Sequence, residues 1–128
     1  MRASTRRRRR RDRNGPQPAE TWLLRALSLI GTERENSEEE ARCYQEALRL
    51  RTDYPEAHNN MAILRKAQGD EAAAAQHYRE ALRLRPEYPE AHYNYAVWLQ
   101  SRGSHQGAAD HYRQALASRA EYVDAHYS

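Results

Sequence analysis

The 128-residue sequence has a formal net charge of +3, but this charge is unevenly distributed. The first 20 residues carry eight arginines against Asp12 and Glu20, a net charge of +6, whereas the remaining 13 basic and 16 acidic residues give −3. The single cysteine, Cys43, excludes an intrachain disulfide, and the sequence lacks the about 20 apolar residues needed to span a bilayer. We expect a cytoplasmic protein.

The first 18 residues predict a disordered, arginine-rich tail. Arg6 to Arg11 are consecutive, and the following segment, 14–18, is rich in Gly and Pro and lacks apolar periodicity. Such a tract can bind nucleic acid or an anionic surface by neutralising phosphates. Because no aromatic residues are interleaved for base stacking, a solvated tail or a start codon placed too far upstream is favoured. A secretory signal is not indicated, since Arg25 interrupts the apolar run that begins at Trp22.

Residues 21–54 predict a degenerate helix pair. The apolar face of its first helix consists of Trp22, Leu23, Leu24, Leu27 and Ile30. Ser37 and Glu40 have capping-box spacing for its second helix. Ala41 and Tyr44 match Ala75 and Tyr78, one 34-residue period later.

Residues 55–88 recur as residues 89–122, with 17 of 34 positions identical and no insertion. Pro55 is a tolerated first helical residue, and apolar positions at helical spacing follow it until Gly69. Asp70 can cap a second helix, whose apolar stripe stops at Pro86. Each copy is therefore predicted to form an antiparallel helix hairpin, and the fixed period predicts a solenoid of stacked copies.

The segment 123–128 restarts the motif of residues 89–94. We expect a truncated first helix of a fourth repeat, which at about 9 Å is too short to cover the preceding helix. Exposed apolar surface is expected around Tyr112, Ala115 and Leu116, where it indicates either self-association or a missing continuation of the repeats. Ala120 stands where the preceding copy has Pro86, so the last helix stop is weaker.

The repeated positions resemble the tetratricopeptide repeat over about residues 21–128. That family keeps small residues at positions 8, 20 and 27, an aromatic at 24 and proline at 32, which here are Ala62, Ala74, Ala81, Tyr78 and Pro86. The resemblance implies an all-α, right-handed α-solenoid of antiparallel helix pairs, with three repeats (21–54, 55–88 and 89–122) and a partial one in a domain of residues 19–128. Glu40 stands where the family keeps a small residue.

The resemblance also implies a concave peptide-binding face formed by the first helices of successive repeats. The predicted peptide contacts on that face are Asn59, Asn60, Ile63, Lys66, Tyr93, Asn94, Val97 and Gln100, with Glu56, Ala67, Glu90 and Ser101 beside them. Asn60 and Asn94 occupy equivalent positions, and a primary amide can pair with both the N–H and the C=O of a peptide. This pair is similar to the asparagine ladder of the O-linked N-acetylglucosamine transferases. The alternative is that both amides bond a neighbouring helix or water.

The carboxylate clamp of chaperone-binding family members is not matched. Arg25 and Asn60 fall at two of its positions, but Leu29, Glu90 and Asn94 replace its other Asn, Lys and Arg. Glu90 would repel a carboxylate.

The histidines also recur, with His58, His92 and His126 at one repeat position and His77 and His111 at another. Equal spacing indicates an equal packing role, and their spacing is not that of metal ligands. We therefore predict neither a metal nor another cofactor. The sequence also lacks a phosphate-binding loop and a nucleophile paired with a base, which argues against catalysis.

The predicted function is a non-enzymatic protein–protein interaction module that binds an extended peptide or a partner helix in its groove. One alternative is a structural or oligomerisation module, or a fragment, of a larger assembly, stacking through its C-terminal end. A second is a set of accessory repeats that recruits substrates for a separate glycosyltransferase-like enzyme.

Overall fold

The computed structural model of the chain describes residues 17–31 and 36–127, with side chains described for 17–31 and 37–117. The regular elements in these ranges are all helices: α1 Pro18–Ser28, α2 Asn36–Leu50, α3 Pro55–Ala67, α4 Glu71–Leu84, α5 Pro89–Ser101 and α6 His105–Tyr127. The predicted all-α repeat fold is therefore confirmed. Arg6 to Arg11 lie outside the described residues, so the disordered tail and its binding to nucleic acid stay predictions.

The chain divides by contacts into an N-terminal unit, residues 1–53, and a C-terminal unit, residues 54–128. In the N-terminal unit α1 and α2 pack as a hairpin. Glu40 on α2 is 8% exposed, and its Oε2 accepts a hydrogen bond from the Tyr44 hydroxyl at 3.0 Å. Burial raises the pKa of Glu40. The hydrogen bond explains how a carboxyl group is accommodated where the family keeps a small residue.

The C-terminal unit contains two hairpins, α3–α4 and α5–α6, whose ends follow the predicted signals. Pro55 and Pro89 begin α3 and α5. Proline is tolerated there because the first backbone N–H groups of a helix make no intrahelical hydrogen bond. Gly69 adopts φ +82° in the turn after α3, a conformation that favours glycine. Asp70 caps α4 by accepting a hydrogen bond from the Ala73 N–H at 3.2 Å.

The two hairpins stack through the contact of α4 with α5. Tyr78 and Tyr95 lie in one buried cluster, with ring centroids 5.8 Å apart. In a second cluster Ala81 packs with Tyr88 and Ala91. Ala81 and Ala91 are fully buried, and their small side chains allow the helices to approach closely. This contact between consecutive repeats forms the core of the C-terminal unit.

The C-terminal helix differs from the sequence-based prediction. We predicted a separate short helix over 123–128, but α6 continues without a break to Tyr127. Between α4 and α5 the chain has Pro86 and Pro89, which cannot donate a helical hydrogen bond and clash with the preceding turn. Ala120 and Val123 stand at the equivalent positions and are compatible with a helix. The predicted truncated first helix is therefore wrong. The repeat motif recurs at 123–128, but the prolines that interrupt the helix in the preceding repeat do not recur.

Candidate peptide-binding site

The predicted groove residues lie on α3 and α5 of the C-terminal unit, and their exposure differs. Ile63 is 42% exposed and Tyr93 is 55% exposed. Gln100 is also exposed, whereas a further group is partly buried: Asn60, Lys66, Asn94 and Val97. Ile63 on α3 and Tyr93 on α5 therefore each present an exposed apolar side chain on this face.

Asn59 departs from its predicted place in the groove. It is 4% exposed, and its Oδ1 accepts a hydrogen bond from Asn94 Nδ2 at 3.2 Å. Asn59 also hydrogen-bonds the hydroxyl of Tyr88, whose pKa is raised mainly by burial. These bonds connect α3 to α5 and to the residue that precedes α5. Its predicted role as an open peptide contact is therefore wrong, because the next repeat covers it.

The two equivalent amides each use an N–H within the fold. Asn60 Nδ2 donates to the backbone carbonyl of Glu56 at 2.8 Å, within α3. Asn94 Nδ2 donates to Asn59, as described above. A primary amide has two N–H donors and a carbonyl acceptor, so these bonds use only part of its capacity. Peptide contact by Asn60 and Asn94 stays a prediction.

A pocket of about 500 Å³ opens at the end of the α5–α6 hairpin. Within it the rings of Tyr93 and Tyr112 meet edge to face, with centroids 5.7 Å apart, and the Tyr112 hydroxyl donates to Gln100 at 2.9 Å. Leu116 is 67% exposed. The remaining lining residues are Pro89, Glu90, Asn94 and Ala115. Of the exposed apolar surface predicted around Tyr112, Ala115 and Leu116, Leu116 is open and Tyr112 is partly exposed, whereas Ala115 is buried at the base of this concave site.

The pocket corresponds to a surface that is covered one repeat earlier. Tyr112 and Ala115 are equivalent to Tyr78 and Ala81, which are 1% and 0% exposed. Ala115 is also buried, at 7% exposed, whereas Tyr112 is only partly buried. The earlier pair is buried because α5 packs on α4. The end pocket is therefore a repeat-stacking face without its covering helix among the described residues; below, "end pocket" denotes this site.

In each of the two hairpins of the C-terminal unit, one histidine pair joins the two helices. His58 and His77 have their Nδ1 atoms 3.0 Å apart, and those of His92 and His111 are 2.9 Å apart. Burial, followed by the neighbouring histidine, lowers the pKa of His77 and of His111. Equivalent repeat positions alone do not reveal this pairing. The signal was present, because both pairs are separated by 19 residues and lie on facing helices.

No group of three or more His, Cys, Asp or Glu side chains that could hold a metal ion occurs in the described part of the chain. The helices in the described ranges also include none long and apolar enough to cross a membrane.

Comparisons with known proteins agree with the fold. Residues 64–100 match a family model described as TPR repeat, the tetratricopeptide repeat. No curated protein matches the sequence significantly. Together with the helical solenoid, the family match confirms the predicted resemblance.

Several solved structures are similar at low sequence identity. A crystal structure of MamA has a TM-score of 0.74 at 16% identity and covers 83% of this chain and 61% of that one. A second MamA structure has a TM-score of 0.69 at 16% identity, covering 83% and 57%. The second TPR of Spaghetti (RPAP3), bound to an HSP90 peptide, has a TM-score of 0.71 at 16% identity, covering 79% and 92%. The chain thus spans about three fifths of the MamA chains, and these identities support the fold alone.

Proposed function

We propose that this tetratricopeptide repeat protein is a non-enzymatic interaction module that binds a peptide or a partner helix along the face formed by α3 and α5. The observation that carries the proposal is the exposure of Ile63 and Tyr93 on these helices, beside the partly buried Asn60 and Asn94. The similar second TPR of Spaghetti is bound to a peptide in its solved structure, which supports this class of ligand.

Apolar contacts provide most of the proposed affinity. Two bidentate amide contacts, at about 1 kcal/mol net per hydrogen bond, contribute only about 4 kcal/mol before the entropy of association is subtracted. One N–H of Asn60 and one of Asn94 are engaged within the fold, so a bidentate contact uses the second N–H and the carbonyl oxygen of each amide. A ligand side chain packed on Ile63 or Tyr93 adds roughly 1.5–3 kcal/mol when it is fully buried. The amides therefore orient the peptide, and the apolar groups hold it.

Charge on the face disfavours an acidic ligand. Glu56 and Glu90 stand at equivalent positions on α3 and α5. Glu56 pairs with Arg85, whereas Glu90 is exposed beside the end pocket. A carboxylate placed near Glu90 would be repelled by its like charge, and water and salt reduce this repulsion at an exposed site without removing it. We therefore propose a neutral or basic ligand with apolar side chains, in contrast to the acidic peptide SRMEEVD of the Spaghetti structure.

The experiment selects ligands from a random peptide library and measures their affinity by fluorescence anisotropy. The double substitution Ile63→Ala and Tyr93→Ala is expected to weaken binding at least tenfold, because it removes the exposed apolar contacts. The double substitution Asn60→Ala and Asn94→Ala tests the amides separately. Gln76→Ala, an exposed position on α4, serves as the matched control. Equal affinity of the wild type and the Ile63/Tyr93 variant would contradict the proposed face.

Substrate recruitment for a separate glycosyltransferase-like enzyme would use the same face, so the selected peptides test it as well. Enrichment of Ser- and Thr-containing peptides that such an enzyme modifies only in the presence of this chain would favour it. Oligomerisation through the C-terminal end involves the end pocket, which shares Tyr93 and Asn94 with this face but extends to α6.

A further inference from the structure

The contact between α4 and the start of α5 shows which residues of this chain can cover a stacking face. Over α4, Ala81 and the neighbouring Leu82 pack against Tyr88 and Ala91, which lie at the start of α5. The segment that carries these two residues, 88–93, reads Tyr-Pro-Glu-Ala-His-Tyr. A tyrosine followed three residues later by alanine thus covers the alanine–leucine step of the preceding helix.

The chain contains a second copy of this covering segment. Residues 122–127 read Tyr-Val-Asp-Ala-His-Tyr, identical to 88–93 at four of six positions and conservative at Asp124. Tyr122 and Ala125 stand in the places of Tyr88 and Ala91. The surface that they would cover, Ala115 and Leu116, lines the end pocket. The sequence therefore contains both a second stacking face and a second covering segment. Each lies 34 residues after its counterpart in the packed pair of the preceding repeat.

The continuous helix α6 keeps this segment away from the pocket of its own chain. Leu116 and Ala125 belong to one uninterrupted helix. At 1.5 Å per residue their backbones are about 13.5 Å apart along its axis. A segment on the same straight helix cannot turn back across the pocket, and Ala120 and Val123 leave the helix without the breakers that turn the chain after α4. Residues 122–127 therefore do not cover the pocket of their own chain, whereas the same segment of another molecule can reach it.

We propose that residues 122–127 of a second copy of this chain occupy the end pocket, and that the exchange is reciprocal. The donated segment and the receiving pocket lie at the same end of the chain's last hairpin. An interface in which each copy gives and receives the same element closes into a two-fold dimer. The dimer thus rebuilds between two chains the contact that Tyr88 and Ala91 make within one. It does not rest on peptide binding by the α3–α5 face, although Tyr93 contributes to both sites.

The first test measures the mass of the full chain by sedimentation equilibrium over a range of micromolar concentrations. The wild type is expected to dimerise. Leu116→Asp, which places a charge in the pocket, and Tyr122→Asp, which alters the donated segment, are each expected to weaken dimerisation at least tenfold. Gln114→Asp, at an exposed position on α6, is the control for added charge. Helix content by circular dichroism shows whether each variant is folded.

The second test mixes the two defective variants. The Leu116→Asp chain keeps its segment and the Tyr122→Asp chain keeps its pocket, so one intact contact forms only in the mixed pair. A heterodimer in the mixture, from variants that are monomeric alone, is the expected result. A monomeric wild type, a dimer unaffected by either substitution, or a mixture without heterodimer would overturn the proposal. None of these results depends on a peptide, so failure here is distinguishable from failure of the proposed function.

A third variant restores the missing breakers. Ala120→Pro with Val123→Pro reproduces the pattern that ends α4 and begins α5. The segment can then return over the pocket of its own chain, so this folded variant is expected to be monomeric although Tyr122 and Leu116 are intact. Dimerisation equal to that of the wild type would contradict the role given to the continuous helix.

Discussion

A hydrogen bond joins His92 Nδ1 to His111 Nδ1 across the α5–α6 hairpin, and a backbone carbonyl determines which of the two rings donates. His92 Nε2 lies 2.7 Å from the carbonyl oxygen of Pro86, which can only accept, so this nitrogen carries a proton. In the neutral ring Nδ1 is then an acceptor, and His111 Nδ1 donates to it across 2.9 Å. Protonating both rings would place two N–H groups against each other and break this contact.

The first prediction is that the chain loses stability as pH falls. The pKa values of His77 and His111 are lowered in the folded state, chiefly by burial and then by the neighbouring histidine. Smaller opposing effects come from Asp70 and Glu80 on His77 and from Asp110 on His111, and Arg65 further lowers the pKa of His77. The unfolded state therefore binds more protons below the ordinary pKa of about 6.5. The free energy of unfolding should rise with pH through this window and level off above it.

Urea unfolding at a series of pH values measures this dependence. Replacing His77 and His111 together with Leu should flatten the curve between the lowered pKa values and the ordinary one. His105→Leu is the matched control, because His105 is exposed at the start of α6. A wild-type curve that is flat across this window would refute the linkage.

A second prediction concerns the buried carboxyl of the N-terminal unit. Tyr44→Phe removes the hydroxyl that donates to Glu40, which is 8% exposed. Leaving a buried acceptor unsatisfied is expected to lower the free energy of unfolding by roughly 1–3 kcal/mol. Glu40→Ala combined with Tyr44→Phe removes both partners and should recover part of that loss. A double-mutant cycle by denaturant unfolding measures the coupling, and additive effects would show that the bond contributes little.

A third prediction compares the covered stacking face with the open one. Ala81→Leu adds volume where α5 leaves no space, and overpacking should destabilise the fold by about 1–3 kcal/mol. Ala115→Leu makes the same change at the equivalent position, which is 7% exposed but borders the empty space of the end pocket. Thermal unfolding at a concentration where the chain is monomeric should show a much smaller loss for Ala115→Leu. Equal losses would indicate that the two faces are equally constrained.

A fourth prediction separates two neighbouring asparagines. Asn59→Ala removes the acceptor of Asn94 and the partner of Tyr88 at a buried position. It is expected to lower the free energy of unfolding by roughly 1–3 kcal/mol. Asn60→Ala removes a bond to the backbone of its own helix at a half-buried position, and its effect should be clearly smaller. Chemical denaturation measures both, and the reverse order would contradict the structural role of Asn59.

Much of the fold was predictable because its signals act over a few residues. Pro55, Gly69 and Asp70 affect the backbone at their own positions, so they predicted where α3 and α4 begin and end. The candidate site was less predictable. Asn59 was placed in the groove by its position in the repeat, but the next repeat buries it. At residue 120 the local sequence allows a continuous helix, whereas the repeat motif predicts a break that the structure does not contain.

The sequence by itself determined the all-α repeat architecture, since a 34-residue period with matched helix signals has a local cause in backbone conformation and in apolar spacing. Only the tertiary structure decided which equivalent surfaces are buried. Tyr78 and Tyr112 occupy the same repeat position, yet one is covered by α5 and the other lines the end pocket. Burial depends on what lies across the helix, and that neighbour is remote from the residue in the chain.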